Sequence, residues 1–323
     1  MSELKDSKAW LTALILGAAN VIPDKTILLS LAHMNSYNGK NDVFEIFGVK
    51  SEDGLKSLPL AETKTYRLYV AKLPSGQLGL MKIALTSKFN NLIVKESQIL
   101  KSMQRLAQEI DEKRTKSKET PPFYGAMFPQ VIEEFDAGGR RAMFLGYKEC
   151  IDNFKQLVPL SVITATERVD LQTTHWVLGK LLKLLTFFHS WGITYAINLV
   201  NTSNVLVETN LHGVFVLDFS EAIEEPMKKD RINDIMAAGK MAWEIAGGTD
   251  DNDPPFDKDI MSWQSYTNYL NFIRRLMNGE TDDAYEELFS IYELSDQIWP
   301  KAPKPSGAPG LKRQFHEFRT YKK

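Results

Sequence analysis

The sequence predicts an α+β fold, in which a small antiparallel sheet with one helix is followed by a mainly helical part. Two observations lead to this prediction. Between residues 66 and 150 the apolar pattern gives the order strand, strand, helix, strand, strand. Beyond residue 150 the apolar residues recur mostly at the spacing of core helices. The chain has 323 residues, enough for one large domain or two ordinary ones.

Two hairpins and one helix make up the first part. TYRLYVAKLPSGQLGLMKIAL contains two strand-like runs joined by the turn signal PSG, and FPQVIEEFDAGGRRAMFLGYKEC contains two more about GG. Hairpin strands are antiparallel, so both pairs indicate an antiparallel sheet. Between them, NNLIVKESQILKSMQRLAQEI at 90–110 has apolar residues at helical spacing and predicts a helix.

The second part is predicted to contain two long core helices around a strand pair. The apolar density of 174–193 suits a buried helix that ends at Gly192. A second helix is expected over 231–248, where Gly247 and Gly248 end the apolar repeat. NVLVE and GVFVLDF, which lie between these helices, predict the two strands.

These patterns predict four segments. Residues 1–57 form an N-terminal helical extension or accessory module, with the helix expected over 8–34. The parts with the sheet and with the core helices occupy 58–150 and 151–299. Residues 300–323 are a Pro-rich basic tail, in which seven Lys and Arg residues and one Glu follow Trp299; it is either flexible or an ordered arm that folds back on the helical part.

Composition excludes several classes of function. With 43% hydrophobic residues, 25% charged residues and a net charge of −2, neither sign dominates, so we expect no nucleic acid or membrane as partner. A single cysteine, Cys150, excludes an internal disulfide and any multi-cysteine metal site. The apolar segment AWLTALILGAANVI is too short to span a bilayer, and it is not preceded by the positively charged region of a secretory signal peptide. We therefore expect a cytoplasmic, soluble protein.

Four short motifs carry residue types that are typical of one family. Lys82 ends the strand in GLMKIA, and Glu96 lies in VKESQIL on the following helix. Asn204 precedes a strand in NTSNVLV, and Asp218 ends the next strand in GVFVLDFSEA. In order and spacing these motifs resemble the protein-kinase-like fold over roughly residues 60–295. The resemblance implies a bilobal fold with an antiparallel N-lobe of 58–150 and a helical C-lobe of 151–299.

The resemblance also implies roles for the four residues. Lys82 would pair with nucleotide phosphates, and Glu96 would hold Lys82 in place by an ion pair. Asn204 and Asp218 would be the metal ligands, so the cofactors implied are ATP and Mg. These are the only site residues that the sequence nominates.

The loop that should carry the catalytic acid departs from the family. Counting back from Asn204, the residues at the His-Arg-Asp positions are Ile197, Asn198 and Leu199. Between His189 and Asp218 the only acid is Glu208, which lies beyond Asn204 in the sequence. Because no alignment supplies a carboxylate, we expect no catalytic residue in this loop.

Two further departures concern the nucleotide and the substrate. Ala61, Thr63 and Tyr66 stand where the family has the glycines that let the backbone approach phosphates, so nucleotide affinity should fall. The interval between Asp218 and Asp234 is too short for a full activation segment, which removes the usual protein-substrate platform. Asp234 itself resembles the structural aspartate of the family's central helix.

Three hypotheses follow. The first is a pseudokinase that acts as a regulatory or interaction module, with ATP and metal bound or not. The alternative is an active atypical phosphotransferase or nucleotidyl transferase that uses Lys82, Glu96, Asn204 and Asp218, with Glu221 or a substrate group replacing the missing acid. The third is a scaffold without nucleotide, in which Lys82–Glu96 is a structural salt bridge and Asp218 is hydrogen-bonded internally. A protein partner is expected, and the sequence predicts no oligomeric state.

Overall fold

The structure is a computed structural model that describes residues 26–32, 43–51, 54–57, 61–72, 78–146, 157–195, 202, 204–208, 213–259, 261–298 and 319–322. The described residues fall into two compact units. The first contains those up to Val158 together with Leu217–Glu221. The second contains those of Pro159–Val216 and those from Ala222 onward.

The first unit contains eight strands and one long helix. Their bounds are β1 Thr26–Ala32, β2 Val43–Ser51, β3 Gly54–Ser57, β4 Ala61–Glu62, β5 Tyr66–Lys72, β6 Leu78–Ala84, α1 Asn90–Lys116, β7 Gln130–Ala137 and β8 Arg140–Gly146. The strands form an antiparallel sheet in the order β1-β2-β5-β6-β8-β7, with β3 beside β2 and β4 beside β5. Helix α1 connects β6 to β7, so the predicted order strand, strand, helix, strand, strand is confirmed.

Side chains of this sheet alternate between two faces, and the alternation decides where Lys82 lies. Met81 and Ile83 belong to a buried apolar cluster on one face, together with Tyr69 of β5. Because successive residues of a strand point to opposite faces, Lys82 lies on the other face. Leu68 pairs with Lys82 across the two strands and shares that face. Helix α1 contacts β6 and β8.

The N-terminal segment is a correction to the sequence analysis. Residues 26–32 form strand β1, whereas a helix was expected over 8–34, and the prediction is wrong for these residues. TILLSLA is a short apolar run, which cannot be assigned to helix or strand by periodicity. Strand β2 pairs with both β1 and β5, so 26–57 contributes strands to the main sheet. The preceding part of the expected helix lies outside the described residues.

The second unit is mainly helical, as predicted. The remaining bounds are β9 Leu157–Pro159, α2 Leu160–Thr164, β10 Glu167–Val169, α3 Leu171–Ser190, β11 Ile193–Thr194, β12 Val205–Glu208, β13 Gly213–Val216, β14 Ile223–Glu224, α4 Lys228–Ile245, α5 Trp263–Met277, α6 Ala284–Ile298 and β15 Thr320–Lys322. Strand β10 pairs with β15, β11 with β14 and β12 with β13, all antiparallel. None of the helices in the described part of the chain has the length and apolarity needed to cross a membrane.

Helix α3 begins and ends at residues that the sequence makes suitable for caps. The Asp170 carboxylate accepts hydrogen bonds from the backbone N–H groups of Gln172 (2.9 Å) and Thr173 (3.0 Å), which have no partner within the helix. The chain leaves the helix through Gly192, whose φ of +69° favours glycine. Within the second unit α3 packs against α4 and α6. The predicted core helix ending at Gly192 is therefore confirmed.

Part of the C-terminal segment is ordered. Residues 320–322 form β15 and pair with β10, so this part of 300–323 belongs to the second unit and agrees with the ordered alternative. The Arg168 guanidinium lies 4.5 Å from the centre of the Tyr321 ring. The N–H of Asp170 donates to the carbonyl of Arg319 at 3.1 Å. Residues 299–318 lie outside the described residues.

A close contact at Gly79 gives a test of the sheet. A β-carbon at Gly79 would lie 2.4 Å from the carbonyl oxygen of Leu145 and 2.6 Å from the Phe144 ring. Since backbone cannot move aside cheaply, Gly79→Ala should lower the free energy of unfolding by about 1–3 kcal/mol in urea denaturation.

Gly179 is the matched control, because it lies inside α3 and a β-carbon there would meet Ile291 only at 3.8 Å. Gly179→Ala should leave stability unchanged or raise it by up to about 1 kcal/mol. If Gly79→Ala and Gly179→Ala have equal free energies of unfolding, the pairing of β6 with β8 is contradicted.

Candidate functional site

Three charged residues named by the sequence come together in the first unit. Lys82 lies on strand β6, Glu96 in the second turn of α1, and Asp218 two residues after the end of β13. Each is buried, with exposed fractions of 1%, 0% and 6%. Charged side chains are almost never buried to this extent unless they are paired.

The Lys82 ammonium group bridges the two carboxylates. Its Nζ atom lies 2.6 Å from Glu96 Oε2 and 2.9 Å from Oε1. The same nitrogen lies 2.7 Å from Asp218 Oδ1. The ion pair that the sequence predicted between Lys82 and Glu96 is therefore present, and Lys82 makes a second pair with Asp218.

Tyr66 completes the cluster and was missed as a functional residue. Its hydroxyl donates a hydrogen bond to Asp218 Oδ2. The Lys82 Nζ atom lies 3.7 Å from the centre of the Tyr66 ring, a cation–π geometry. Tyr66 reaches both groups because it lies two residues before Leu68 on β5, on the sheet face of Lys82. We call Tyr66, Lys82, Glu96 and Asp218 the buried quartet.

Two backbone N–H groups also donate hydrogen bonds to the carboxylates of the quartet. The N–H of Ser220 donates to Asp218 Oδ1 at 3.0 Å. The N–H of Phe219 donates to Glu96 Oε1 at 3.0 Å. Both oxygens of Asp218 therefore accept hydrogen bonds from protein donors, and the segment after β13 is fixed to α1 through Glu96.

The protonation states follow from burial and charge. Burial acts to raise the pKa of Asp218, but the Lys82 charge outweighs it and lowers the pKa to about 2. Burial raises the pKa of Glu96 to about 7, against the opposing effect of Lys82. Burial and the Asp218 carboxylate raise the pKa of the Tyr66 hydroxyl. Tyr66 is therefore a neutral donor to an ionised Asp218 at physiological pH.

In this arrangement the polar groups of the quartet are bonded to one another. A metal ion would need a carboxylate oxygen of Asp218, and Lys82 and Ser220 occupy one oxygen while Tyr66 occupies the other. Phosphate oxygens would need the Lys82 ammonium, which here also pairs with Asp218. Among the described residues there is no cluster of three or more His, Cys, Asp or Glu residues that could hold a metal ion.

The remaining predicted positions lie outside the quartet. Asn204 is half-buried, directly before strand β12 in the second unit, and its role as a metal ligand stays a prediction. Ile197, Asn198 and Leu199, where the family has its catalytic acid, lie outside the described residues. The expectation that this loop lacks a catalytic residue therefore depends on the sequence alone.

Asp234 anchors the chain just before that loop. It is fully buried in helix α4, and its Oδ2 atom accepts the backbone N–H of Tyr195 at 2.8 Å. Nε2 of His189, in the last turn of α3, lies 3.0 Å from the same oxygen. The structural role predicted for Asp234 thus has a physical basis, while its contact with His189 was not predicted.

Comparison with known proteins does not assign the chain to a protein family. No protein-family model matches the chain, and no curated protein matches it in sequence. A solved crystal structure of a kinase domain is similar, with 12% sequence identity, a TM-score of 0.48, and coverage of 82% of this chain and 98% of that chain. A likeness at this level does not assign the chain to a family.

Removal of the cation tests whether the quartet is structural. Lys82→Met should lower the free energy of unfolding by about 3–5 kcal/mol, because it leaves two buried carboxylates without a counter-charge. Urea denaturation at neutral pH measures the loss. Lys101→Met is the matched control: Lys101 pairs with Glu134 but is 52% exposed, so its loss should cost less than about 1 kcal/mol. A Lys82→Met protein as stable as the Lys101→Met protein would contradict this account.

Acid sensitivity tests the Tyr66 hydrogen bond. The folded-state pKa of Asp218 lies below its ordinary value of 3.8, so its stabilising contribution is present above that value and is lost as the pH falls toward about 2. Tyr66→Phe removes a donor that lowers this pKa. The folded-state pKa of Asp218 should therefore rise toward its ordinary value, so the loss of stability in acid should be smaller and complete at a higher pH. Stability at neutral pH should fall by about 1.5–3 kcal/mol.

Tyr269→Phe is the control for that change. Tyr269 is fully buried, and its hydroxyl makes no hydrogen bond in the described structure. Urea denaturation across pH 2–7 should give a wild-type acid profile for Tyr269→Phe and a shifted profile for Tyr66→Phe. Identical profiles of the two variants would exclude the Tyr66–Asp218 bond in solution.

Proposed function

We propose that this chain is a kinase-like protein of the pseudokinase type, with the bilobal fold of that family, and that it acts as a regulatory or interaction module. In this proposal the residues that a kinase uses to hold a metal nucleotide serve to hold the chain together. The described residues support it through the confirmed element order and through the Lys82–Glu96 pair between a strand and the following helix.

The observation that carries the proposal is the closed hydrogen bonding of the buried quartet. Lys82 has two carboxylate partners, and Asp218 accepts bonds from Lys82, Tyr66 and Ser220. A buried polar network that is satisfied internally makes the structure more rigid and specifies one conformation. A catalytic site differs, because it keeps groups available for the substrate.

The sequence supports the same proposal from a second direction. The acid that positions or deprotonates an acceptor hydroxyl in the family is replaced by Leu199. Loss of a positioned general base lowers a reaction rate by about 10²–10⁴. In addition, Tyr66 replaces a glycine of the nucleotide loop and at the same time contacts Asp218. Tyr66 in place of glycine thus has two effects. It keeps the backbone from approaching phosphates closely, and its hydroxyl binds Asp218, the carboxylate that would hold the metal ion.

One observation favours a second candidate function. An active atypical phosphotransferase or nucleotidyl transferase would need the Lys82–Glu96 pair, which is retained with short distances. In that case Tyr66 would have to leave Asp218 before ATP and Mg²⁺ bind. We rank this candidate second because displacing Tyr66 breaks a buried hydrogen bond to a charged group.

Nucleotide titration separates the two candidates. The wild-type protein should show no change in thermal midpoint with millimolar ATP and Mg²⁺ or Mn²⁺, and no transfer of labelled phosphate. A ligand at a hundredfold excess over its Kd would stabilise the native state by about 2.7 kcal/mol, which such a scan resolves. A metal-dependent shift of the wild-type protein, with phosphate transfer that is lost in Asp218→Ala, would favour the second candidate instead.

The Tyr66→Ala variant shows whether Tyr66 is the group that closes the site. It frees one oxygen of Asp218 and one side of the Lys82 ammonium, so a magnesium-dependent ATP shift should appear in this variant. The double variant Tyr66→Ala/Asp218→Ala is the control, and it should lose the magnesium-dependent part. Absence of any shift in Tyr66→Ala would contradict the role given to Tyr66.

A further inference from the structure

Helix α6 has apolar side chains on two faces. One stripe is buried and packs within the second unit, where α6 contacts α3 and α5. This stripe contains Ala284, Leu288, Ile291 and Ile298. The other stripe, Tyr285, Phe289 and Tyr292, is exposed by 57%, 58% and 54%, and we call it the aromatic face. A helix in a soluble protein normally presents polar residues on the side away from the core.

The aromatic face is one continuous patch. Its members are spaced by four and three residues, so they lie on one side of the helix. The rings of Tyr285 and Phe289 are in contact, with centroids 6.0 Å apart and planes tilted by 53°. Single exposed apolar residues are ordinary, but contiguous exposed patches mark interaction sites. Tyrosine and phenylalanine are also enriched where proteins bind one another.

The charged side chains of helix α6 itself have one sign. The helix AYEELFSIYELSDQI contains no Lys, Arg or His. Glu286 and Glu293 are exposed and each follows a member of the face directly in sequence. Two bases, Lys228 and Arg231, lie near the start of the helix, where both pair with Asp282. The outward side of α6 is therefore aromatic and negatively charged.

We propose that the aromatic face is a docking surface for a positively charged segment of a partner protein, one that combines Lys or Arg with apolar side chains. Ammonium and guanidinium groups are attracted to aromatic rings and to the flanking glutamates, whereas acidic segments are repelled. The proposal names the partner chemistry of the interaction module proposed above. Its contacts are independent of the buried quartet, which lies in the other unit.

The proposal can be tested by selecting, from a random peptide library, the peptides that bind the whole protein. No ligand has to be chosen in advance. Peptides that bind should be enriched in Lys and Arg next to apolar residues. The variant Tyr285→Gln/Phe289→Gln/Tyr292→Gln should weaken their binding at least about tenfold, because aromatic residues dominate interface energies. Binding of the selected peptides should also weaken as salt rises, since it depends partly on charge.

A charge variant keeps the test decisive if the triple variant folds poorly. Glu286→Lys/Glu293→Lys reverses the flanking charges, so it should lose the basic peptides and select acidic ones. Trp191→Gln is the matched control, since Trp191 is 47% exposed at the end of α3 and should be replaceable without effect on binding. Fluorescence anisotropy of the selected peptides measures each variant, and circular dichroism checks its fold.

Three outcomes would overturn the proposal. If the selected peptides show no excess of basic residues, the partner is not a positively charged segment. If the peptides bind the triple variant as tightly as the wild type, the aromatic face is not their binding surface. Sedimentation velocity that shows a wild-type dimer and a monomeric triple variant would assign the aromatic face to a second copy of this chain. Nucleotide binding by the wild type would contradict the proposed function and leave these peptide results unchanged.

Discussion

The first unit depends on one constraint, the burial of a lysine ammonium group between two carboxylates. An unpaired charge in this position would be very costly, so Glu96 and Asp218 must both be in place when Lys82 is buried. The strand that carries Lys82, the helix that carries Glu96 and the segment after β13 are thereby fixed to one another. The Tyr66 hydroxyl and the backbone N–H of Ser220 donate to Asp218, and the backbone N–H of Phe219 donates to Glu96.

In the function that we propose, the same contacts take the place of a ligand. The resemblance implies that Lys82 binds phosphates and that Asp218 binds a metal ion. In this structure the two side chains form an ion pair with each other. Tyr66 is the residue that makes this arrangement complete, because its hydroxyl reaches Asp218 and its ring covers Lys82. The second unit contributes a different feature, an aromatic and acidic outward side of α6 that is separate in sequence from the quartet.

The sequence predicted those parts of the fold that have strong local signals. Both hairpins, helix α1 and the core helix ending at Gly192 have periodic apolar patterns and turn or cap residues, and all are confirmed. Strand β1 was missed because a short apolar run has no distinctive period, and β15 because its pairing with β10 is not local. The Lys82–Glu96 ion pair was predicted from the resemblance to the kinase-like fold. The Tyr66–Asp218 bond joins residues 152 positions apart, and only the tertiary structure brings them together.

Paramagnetic relaxation tests the central claim most directly, namely that Asp218 is closed to metal by the protein's own donors. NMR signals of the Asp218 carboxyl carbon and the Tyr66 ring would be followed while Mn²⁺ is added, with and without ATP. The account predicts that both signals stay sharp at metal concentrations that broaden exposed carboxylates. Selective broadening of the Asp218 signal at low Mn²⁺ would contradict it.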